Sequence, residues 1–228
     1  MQKSRQEITV RDIAAGYDAI AGKVFVSRDF YNEVLDIGPR FFGDILEIGV
    51  GQGVVLKTIA ERGGAGIRSL TGIDLSPRLI GMARVAVPQA RIVEADAAHL
   101  PFADASFDLA VMVDTFQYVL DPRRVLEEVR RVLRPGGKFL VTVPNRKWIL
   151  FSRYIKTRKN IQPVEDKFYD YAEMSKLLAD NRFAILKFKG ADALRFYTSR
   201  HRYERALAVV FPFLHRYMKK LVFLCTRE

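Results

Sequence analysis

Short apolar runs alternate along most of this chain with longer stretches in which apolar residues recur every three or four positions. The runs have the length of buried strands, and the longer stretches have the period of amphipathic helices. In order, they are Ile45–Ile48, Val54–Arg62, Ser69–Ile73, Pro77–Val87, Arg91–Ala95, Leu109–Val113, Pro122–Leu133 and Lys138–Val143. Because repeated strand–helix–strand units place helices on both faces of parallel strands, the pattern predicts an α/β fold with a mostly parallel sheet.

The two ends of the chain have a looser pattern. Before residue 40, apolar residues at helical spacing predict one or two amphipathic helices that end at Gly38-Pro39. After Pro144 the sequence predicts a helix over Tyr171–Asp180 and strands over Phe183–Phe188 and Leu221–Cys225. No internal repeat or linker divides the chain, so we expect a single domain.

The composition is that of a folded globular domain. The 228 residues are 49% hydrophobic and 28% charged, and a chain of this length buries about 70% of the surface that its unfolded form exposes. A single cysteine, Cys225, excludes an internal disulfide and a CxxC zinc site, and we expect no metal. The polar residues 1–9 do not resemble a signal peptide, and no apolar run approaches the roughly 18 residues of a membrane span. We therefore expect a cytoplasmic protein.

The net charge of +11 is unevenly distributed. Residues 1–120 contain 12 Lys/Arg against 15 Asp/Glu, whereas residues 121–228 contain 25 against 11. Such a gradient indicates that one face meets something anionic, which leaves nucleic acid, a phosphorylated substrate and a membrane surface as alternatives.

A glycine-rich turn, Gly49-Val50-Gly51-Gln52-Gly53, follows the first predicted strand. Glycines at alternate positions let the backbone turn tightly and approach a ligand closely. The spacing G-x-G-x-G differs from the G-x-G-x-x-G of nicotinamide dinucleotide sites, which disfavours that cofactor. The second predicted strand ends at Asp74, whose carboxylate can accept hydrogen bonds from both hydroxyls of a ribose. The alternative is that Asp74 only caps the next helix.

Another acidic turn follows the third predicted strand. It contains Asp96 and is followed by the apolar Leu100-Pro101-Phe102. Asp96 can accept a hydrogen bond from an exocyclic amine while Leu100 or Phe102 packs near a purine. The alternative is a turn residue without a function.

The order of these motifs resembles the class I S-adenosylmethionine-dependent methyltransferases, in the small-molecule branch that includes the ubiquinone and menaquinone methyltransferases. The motifs are Leu46–Gly53, Gly72–Ser76, Asp96, Leu100–Phe102, Ser106–Asp108 and Arg131–Gly137. The resemblance implies S-adenosyl-L-methionine as cofactor and a Rossmann-like sheet of seven strands, mostly parallel, with helices on both faces and an antiparallel last strand. Within one domain, 1–228, it implies an N-terminal helical lid (1–40), a cofactor-binding core (41–144) and a basic substrate-side half (145–228).

The resemblance also assigns roles by position. It implies that Glu47 and the next two glycines hold the methionine end of the cofactor and that Asp74 holds the ribose. Asp96 and Ala97 hold the adenine, and Tyr17 matches the tyrosine of the family's lid. The expected cofactor-binding residues are Tyr17, Glu47, Gly49, Gly51, Asp74, Leu75, Asp96, Ala97 and Val113.

The resemblance does not assign a catalytic base, because Tyr118 stands where many relatives have a histidine. Methyl transfer mainly requires alignment and the exclusion of water. A base is needed only for an acceptor that is protonated at the working pH. The candidate bases are Asp114, Tyr118, His201 and His215.

Two basic segments, residues 146–160 and 195–220, are expected to flank the mouth of the site, because both connections leave from the carboxyl edge of the sheet. Aromatic and aliphatic residues lie beside their lysines and arginines, a composition typical of a helix on an anionic bilayer. We therefore expect peripheral contact with an anionic membrane. The alternative is that the apolar side chains cover the substrate pocket while the cations remain solvated.

These features favour methylation of an O, N or C atom of a small apolar or amphiphilic acceptor, at a membrane surface or on an anionic carrier. An RNA methyltransferase is an alternative that the pI of 9.8 supports. Nucleic acid is the less favoured partner, because the Asn-Pro-Pro-Tyr signature of adenine N6 methylation is absent after the fourth strand. A non-catalytic module that binds the cofactor and regulates a partner is the other alternative.

Overall fold

A computed structural model describes residues 8–21, 28–148, 166–191, 216 and 218–228. The strands are β1 (Gly43–Ile48), β2 (Ile67–Asp74), β3 (Arg91–Glu94), β4 (Phe107–Met112), β5 (Leu133–Pro144), β6 (Phe183–Ala191) and β7 (Lys220–Arg227). The helices are α1 (Val10–Ile20), α2 (Arg28–Leu35), α3 (Val54–Gly63), α4 (Pro77–Ala86), α5 (Pro122–Val132) and α6 (Tyr171–Asp180). Short 3₁₀ turns lie at Gly64–Gly66 and Phe116–Tyr118.

The seven strands of the described residues form one sheet in the order β3-β2-β1-β4-β5-β7-β6. Strands β1 to β5 pair in parallel, and β7 is antiparallel to both β5 and β6. The predicted α/β fold is confirmed, including the antiparallel last strand and the N-terminal helix. The order reverses between β1 and β4, and ligands of such sheets bind beside the carboxyl ends of the strands at this point.

Strand β5 begins at Leu133, earlier than the predicted start at Lys138. Leu133 pairs with Phe107, and the register shifts before Leu109 pairs with Lys138. The intervening Arg134-Pro135-Gly136-Gly137 has turn-forming residues, and Gly136 has a positive φ of 73°. The irregular pairing explains why the apolar pattern did not reveal this part of the strand.

Each face of the sheet has its own apolar core. Leu56 of α3 and Ile80 of α4 pack on one face, whereas Leu126 of α5 and Leu178 of α6 pack on the other. Successive strand residues point to opposite faces, so Ile45 joins the first core and Leu46 the second. This alternation decides which strand-end side chains share a face.

Two helices begin as their Ser-Pro and Asp-Pro sequences predict. The hydroxyl of Ser76 accepts a hydrogen bond from the Leu79 N–H at the start of α4. The carboxylate of Asp121 accepts from two backbone N–H groups at the start of α5. A side-chain acceptor before a first-turn proline satisfies donors that have no partner inside the helix.

Candidate active site

Three carboxylates lie at the carboxyl edge of the sheet, where the strand order reverses. Glu47 is the penultimate residue of β1, Asp74 ends β2, and Asp114 follows β4 by two residues. These three strands are neighbours in the sheet. Residues of two predicted motifs and one candidate base are thereby brought to one edge of the sheet.

The glycine-rich turn is anchored at its first residue. The N–H groups of Gly49 and Val50 both donate to the carbonyl of Ile73, at 2.8 Å. Gly49 has a φ of +77°, and a Cβ there would lie 2.2 Å from the hydroxyl of Thr115. Gly51 also has a positive φ, +53°, but a Cβ there would meet no atom of the described residues within 4 Å. The turn is therefore packed against the chain at Gly49 and open at Gly51.

Glu47 is a buried carboxylic acid, 2% exposed. Among the described residues its Oε2 atom has no hydrogen-bond partner. Burial raises the pKa of Glu47 well above its usual range, the Leu56 N–H opposes that rise, and the charge of Asp74 adds to it. A buried polar atom without a partner costs free energy, so a cationic donor beside Glu47 would be strongly favoured.

Asp74 ties the glycine-rich turn to the next helix. Its carboxylate accepts from the N–H of Gly51 at 2.9 Å and from the N–H of Ser76 at 3.0 Å. Burial raises the pKa of Asp74, and these backbone donors oppose the rise. The N-cap of α4 is Ser76 rather than Asp74. Asp74 thus sits at the open side of the turn, as a ribose-binding residue requires.

Asp96 lies in the turn after β3. Its carboxylate accepts from the N–H of Ala98 at 3.0 Å, and Oδ2 lies 3.6 Å from Nδ1 of His99. Leu100 is buried beneath α5, in the second core. Phe102 packs against Phe107 at the amino end of β4, with ring centroids 5.1 Å apart. The chain runs back along the sheet after Asp96, so Phe102 does not form the expected apolar wall beside that carboxylate.

Helix α1 packs over the start of α4. The carboxylate of Asp18 accepts from the hydroxyl of Ser76 and from the N–H of Arg78. A carboxylate is stabilised at a helix N-terminus by the free N–H groups and the helix dipole. The ring of Tyr17 meets the ring of Tyr118 edge to face, with centroids 5.6 Å apart. The N-terminal helix therefore reaches the carboxyl edge, and burial raises the pKa of both phenols.

Asp114 has a left-handed backbone, with φ +54°. Its N–H donates to the hydroxyl of Thr142 at 2.9 Å, and its carbonyl accepts from the amide of Gln117 at 3.1 Å. Its carboxylate pairs with Lys220, with Nζ 2.5 Å from Oδ1. Sequence reasoning missed Lys220, which lies in the basic second half without a motif of its own.

Tyr31 of α2 is a second residue that the sequence did not single out. Burial raises the pKa of its phenol, and the negative charges of Asp114 and Glu47 raise it further. This places Tyr31 near both carboxylates. The helical spacing of the apolar residues around Tyr31 indicated only that it packs in the core.

The remaining predicted residues have varied positions. Leu75 and Ala97 are half-buried in the turns after β2 and β3, and Val113 is buried after β4. His201 and His215 lie outside the described residues. Cys225 is buried and free, and burial raises its pKa to about 12, which agrees with a core role. Within the described part of the chain, no group of side chains has the composition of a metal site.

A cavity of about 760 Å³ lies at the opposite, amino edge of the sheet. Beside it, Arg68 and Arg134 each pair with Asp44 and with Asp108, at 2.6 to 2.9 Å. The hydrogen bond from Arg68 is the main cause that holds the pKa of Asp44 at about 2. These ion pairs neutralise one another and connect the starts of neighbouring strands. The network therefore has a structural role. It contains Asp108 and Arg134 from two of the motifs.

The comparisons with known proteins agree with this arrangement. The model of a family described as a methyltransferase domain matches residues 46–141. The chain is 34% identical over 142 residues to a protein of Mycolicibacterium smegmatis named as a probable S-adenosylmethionine-dependent methyltransferase, which covers 62% of this chain and 52% of that one. It is 31% identical over 130 residues to the demethylmenaquinone methyltransferase of Thermotoga maritima, covering 54% and 55%. The chain thus spans about half the length of these relatives.

A solved structure has the same fold. It is that of an S-adenosylmethionine-dependent methyltransferase from Thermotoga maritima, with a TM-score of 0.70 and 23% identity, covering 95% of this chain and 100% of that one. The fold is thus the Rossmann-like fold of that structure. The matched model and the relatives show that residues 46–141 form a methyltransferase domain, similar in sequence to S-adenosylmethionine-dependent methyltransferases.

The family and the fold imply S-adenosyl-L-methionine as cofactor, and the residues present fit it. Oε2 of Glu47, which has no partner among the described residues, suits its ammonium group. The open space beside Gly51 lies next to Asp74, whose carboxylate suits the ribose hydroxyls. The individual roles assigned to the predicted cofactor-binding residues remain predictions.

Replacing Asp74 with alanine should weaken the binding of S-adenosylhomocysteine by about 1 to 3 kcal/mol, because the ribose hydroxyls lose a charged acceptor. Asp96→Ala should have a smaller effect, since this carboxylate is expected to meet only the adenine amine. Calorimetry measures both affinities, and thermal unfolding checks that each variant is folded. An unchanged affinity in Asp74→Ala would mean that this residue only holds the glycine-rich turn.

Proposed function

We propose that this chain transfers a methyl group from S-adenosylmethionine to an O, N or C atom of a small apolar or amphiphilic acceptor. The observation that carries the proposal is the buried Glu47 carboxyl group, whose Oε2 has no partner among the described residues, beside an open glycine-rich turn. A buried acid of this kind is costly for a merely structural domain but is suited to a cationic cofactor. Similarity to a demethylmenaquinone methyltransferase supports a small-molecule acceptor.

When bound, S-adenosylmethionine supplies a methyl group on a sulfonium that departs as a neutral thioether. The chain's own contribution is alignment and the exclusion of water. Helix α1 covers the site and excludes water from it, because Asp18 attaches the helix to α4 and Tyr17 packs against Tyr118. Glu47 would hold the methionine end of the cofactor and Asp74 its ribose, which leaves the space above β4 for the acceptor.

Among the candidate bases, we favour Asp114. It lies at the end of β4 with a third of its side chain exposed. Tyr118 is a poorer base, because burial raises its pKa and keeps the phenol protonated near neutral pH. Tyr118 then contributes its packing surface and a hydrogen-bond donor to the site.

Two measurements test the proposal. Calorimetry should detect binding of S-adenosylmethionine and S-adenosylhomocysteine but not of NAD, since the site lacks the G-x-G-x-x-G turn for a pyrophosphate. Radiolabelled methyl transfer should then be measured with metabolite, lipid and RNA fractions as acceptors. Tighter binding of NAD than of S-adenosylmethionine would contradict the cofactor assignment.

The transfer assay also separates the alternatives. Label in RNA alone would favour an RNA methyltransferase, whose binding to polyanions should decrease steeply with salt. Binding of the cofactor without transfer to any fraction would favour a regulatory module. Label in a lipid or small-metabolite fraction supports the proposal.

We also propose peripheral contact with anionic membranes through residues 146–160 and 195–220, most of which lie outside the described residues. No helix in the described ranges is long and apolar enough to cross a bilayer. The protein should sediment with anionic vesicles, because each Lys/Arg near such a surface contributes about 1 kcal/mol. Salt should weaken the binding, since the Debye length decreases from about 10 Å at 0.1 M to about 3 Å at 1 M.

Replacing Trp148 and Phe151 with serine should reduce sedimentation with vesicles and leave the cofactor affinity unchanged. Neutral vesicles serve as the control and should bind poorly. If anionic vesicles do not bind at low salt, the basic segments are a cover over the substrate rather than a membrane contact. That result would not affect the proposed methyl transfer.

A further inference from the structure

Lys220 is the first residue of β7, which begins at the carboxyl edge because it runs antiparallel to β5. In register it pairs with Pro144 of β5 and with Ala191 of β6. Its side chain is 13% exposed, and Nζ lies 2.5 Å from Oδ1 of Asp114. Since β5 lies between β4 and β7, the lysine reaches across one strand end to this carboxylate.

The start of β7 is firmly placed. Asn145, which follows β5 and is 1% exposed, donates from its side chain to the carbonyls of Arg216 and Met218 at 2.8 and 2.7 Å. Its backbone N–H donates to the carbonyl of Lys219 at 2.9 Å. These three bonds fix the residues just before Lys220, so the position of the lysine does not depend on its own ion pair.

Lys220 and Asp114 lie on the side of the sheet that faces α2. Val222, two residues after Lys220, packs in the core of that face. Glu47 lies on the same face, because it is two residues after Ile45. Burial is the main cause that raises the pKa of Tyr31 on α2, and the charges of Asp114 and Glu47 add to it. The ion pair therefore borders the space beside the predicted methionine end of the cofactor.

The backbone of Asp114 is held in a conformation that non-glycine residues rarely adopt. Its φ of +54° is maintained by the buried side chains of Thr142 and Gln117, which bond its N–H and its carbonyl. Left-handed backbone is unfavourable for an L-residue, and such strain is concentrated at functional sites. A third of the Asp114 side chain is exposed, more than that of the lysine, so the carboxylate is the accessible member of the pair.

We propose that Lys220 is a positioning residue that orients Asp114 toward the acceptor, and that the acceptor carries an O–H or N–H at the methylated atom or conjugated with it. This inference rests on the proposed function. Lys220 fixes Oδ1, which leaves Oδ2 to accept a charge-assisted hydrogen bond. The proton goes to Asp114, the freed electron pair bonds to the methyl carbon directly or by conjugation, and the carbon–sulfur pair stays on sulfur.

The test compares Lys220→Met, Asp114→Asn, the double variant and Lys220→Arg, with the acceptor that the transfer assay identifies. Lys220→Met should lower kcat about tenfold or more, with S-adenosylhomocysteine affinity within about twofold of wild type. The double variant should be no slower than Asp114→Asn, because the lysine acts only through this carboxylate. Lys220→Arg should recover part of kcat, since arginine also pairs with a carboxylate.

Lys138→Met is the matched control, because Lys138 lies in the middle of β5, away from its carboxyl end, and donates to the hydroxyl of Thr226 at 3.1 Å. It should leave kcat unchanged. A Lys220→Met protein that matches this control, or a double variant slower than Asp114→Asn, would overturn the positioning role. A product methylated at a carbon with no O–H or N–H in conjugation would overturn the acceptor class.

Wild-type protein that transfers no methyl group to any fraction would refute the proposed function instead. The pairing is then decided by urea unfolding of wild type, Lys220→Met, Asp114→Asn and the double variant, which needs no acceptor. The double-mutant cycle should show coupling that changes the unfolding equilibrium constant about fivefold or more. Additive effects would mean that Lys220 does not hold Asp114, and the inference would fail independently.

Discussion

Glu47→Gln should weaken S-adenosylhomocysteine binding about tenfold to a hundredfold while making the cofactor-free protein more stable above neutral pH. The affinity decreases because a charged hydrogen bond to the ligand's ammonium group is worth about 1.5 to 3 kcal/mol. Stability increases because the variant no longer has to bury a charge. The wild-type acid is 2% exposed, and its Oε2 has no partner among the described residues.

The sign of the pH dependence follows from the raised pKa of Glu47. When the pKa of a carboxyl group is higher in the folded state than in the unfolded state, its contribution to stability is fully present below the unfolded-state pKa. That contribution is lost as the pH rises through the folded-state pKa. The advantage of Glu47→Gln should therefore increase with pH over this window. Thermal unfolding without ligand at several pH values measures it, and calorimetry measures the affinity.

Glu128→Gln is the matched control, because Glu128 is a second buried glutamate in the opposite environment. Its carboxylate accepts from Arg131 at 2.8 and 2.9 Å and from the Leu100 N–H at 2.8 Å, and Arg131 is the main cause that lowers its pKa. The contribution of Glu128 to stability is present above its unfolded-state pKa and is lost as the pH falls through its folded-state pKa. Glu128→Gln should therefore destabilise the protein near pH 7 and leave ligand affinity unchanged. If both variants destabilise equally, Glu47 is a structural residue.

Gly49→Ala should be the most disruptive single change in the glycine-rich turn, with a loss of about 2 to 5 kcal/mol in the free energy of unfolding. The added Cβ would lie 2.2 Å from the hydroxyl of Thr115 and would require a positive φ. Because the Gly49 N–H holds the turn to Ile73, any displacement also moves the predicted binding loop. Binding of S-adenosylhomocysteine should be lost as well.

Gly51→Ala distinguishes the cost of a positive φ from the cost of a steric contact. Gly51 has a similar positive φ, but its added Cβ meets nothing within 4 Å, so the cost in stability should be only about 1 to 2 kcal/mol. The open space is where we expect the cofactor, so its affinity should decrease more than the stability does. Denaturant unfolding and calorimetry on both variants make the comparison. Equal losses of stability would show that the contact with Thr115 is not tight, and unchanged affinity in Gly51→Ala would place the ligand elsewhere.

Membership of a motif does not mean that a residue serves the ligand. Asp108 and Arg134 belong to two of the motifs that carry the family resemblance, yet they pair with Asp44 and Arg68 at the amino edge. They join the starts of β1, β2, β4 and β5 and leave the carboxyl edge to Glu47 and Asp74. Resemblance identified the motifs, whereas only geometry separates a binding role from a structural one.

Local patterns account for most of what was predicted correctly. Strands and helices in an α/β sheet bury continuous apolar runs or periodic faces, so their positions are visible along the chain. Helix starts at Ser76 and Asp121 were visible for the same reason, since a cap bonds residues only two or three positions away. The roles of Glu47 and Asp74 came from the family resemblance, and parallel strands bring such strand ends to one edge.

The sequence by itself determined the α/β class, the order of strands and helices, and the side of the sheet that carries the predicted cofactor site. Tertiary structure decided which distant residues meet there. Lys220 contacts Asp114 across 106 positions, and the charges of Asp114 and Glu47 act on the phenol of Tyr31 in α2. Such contacts depend on strand order, register and the face that each side chain takes, none of which leaves a periodic signal near the residues concerned. For the same reason, only the fold could place Phe102 at the edge away from Asp96.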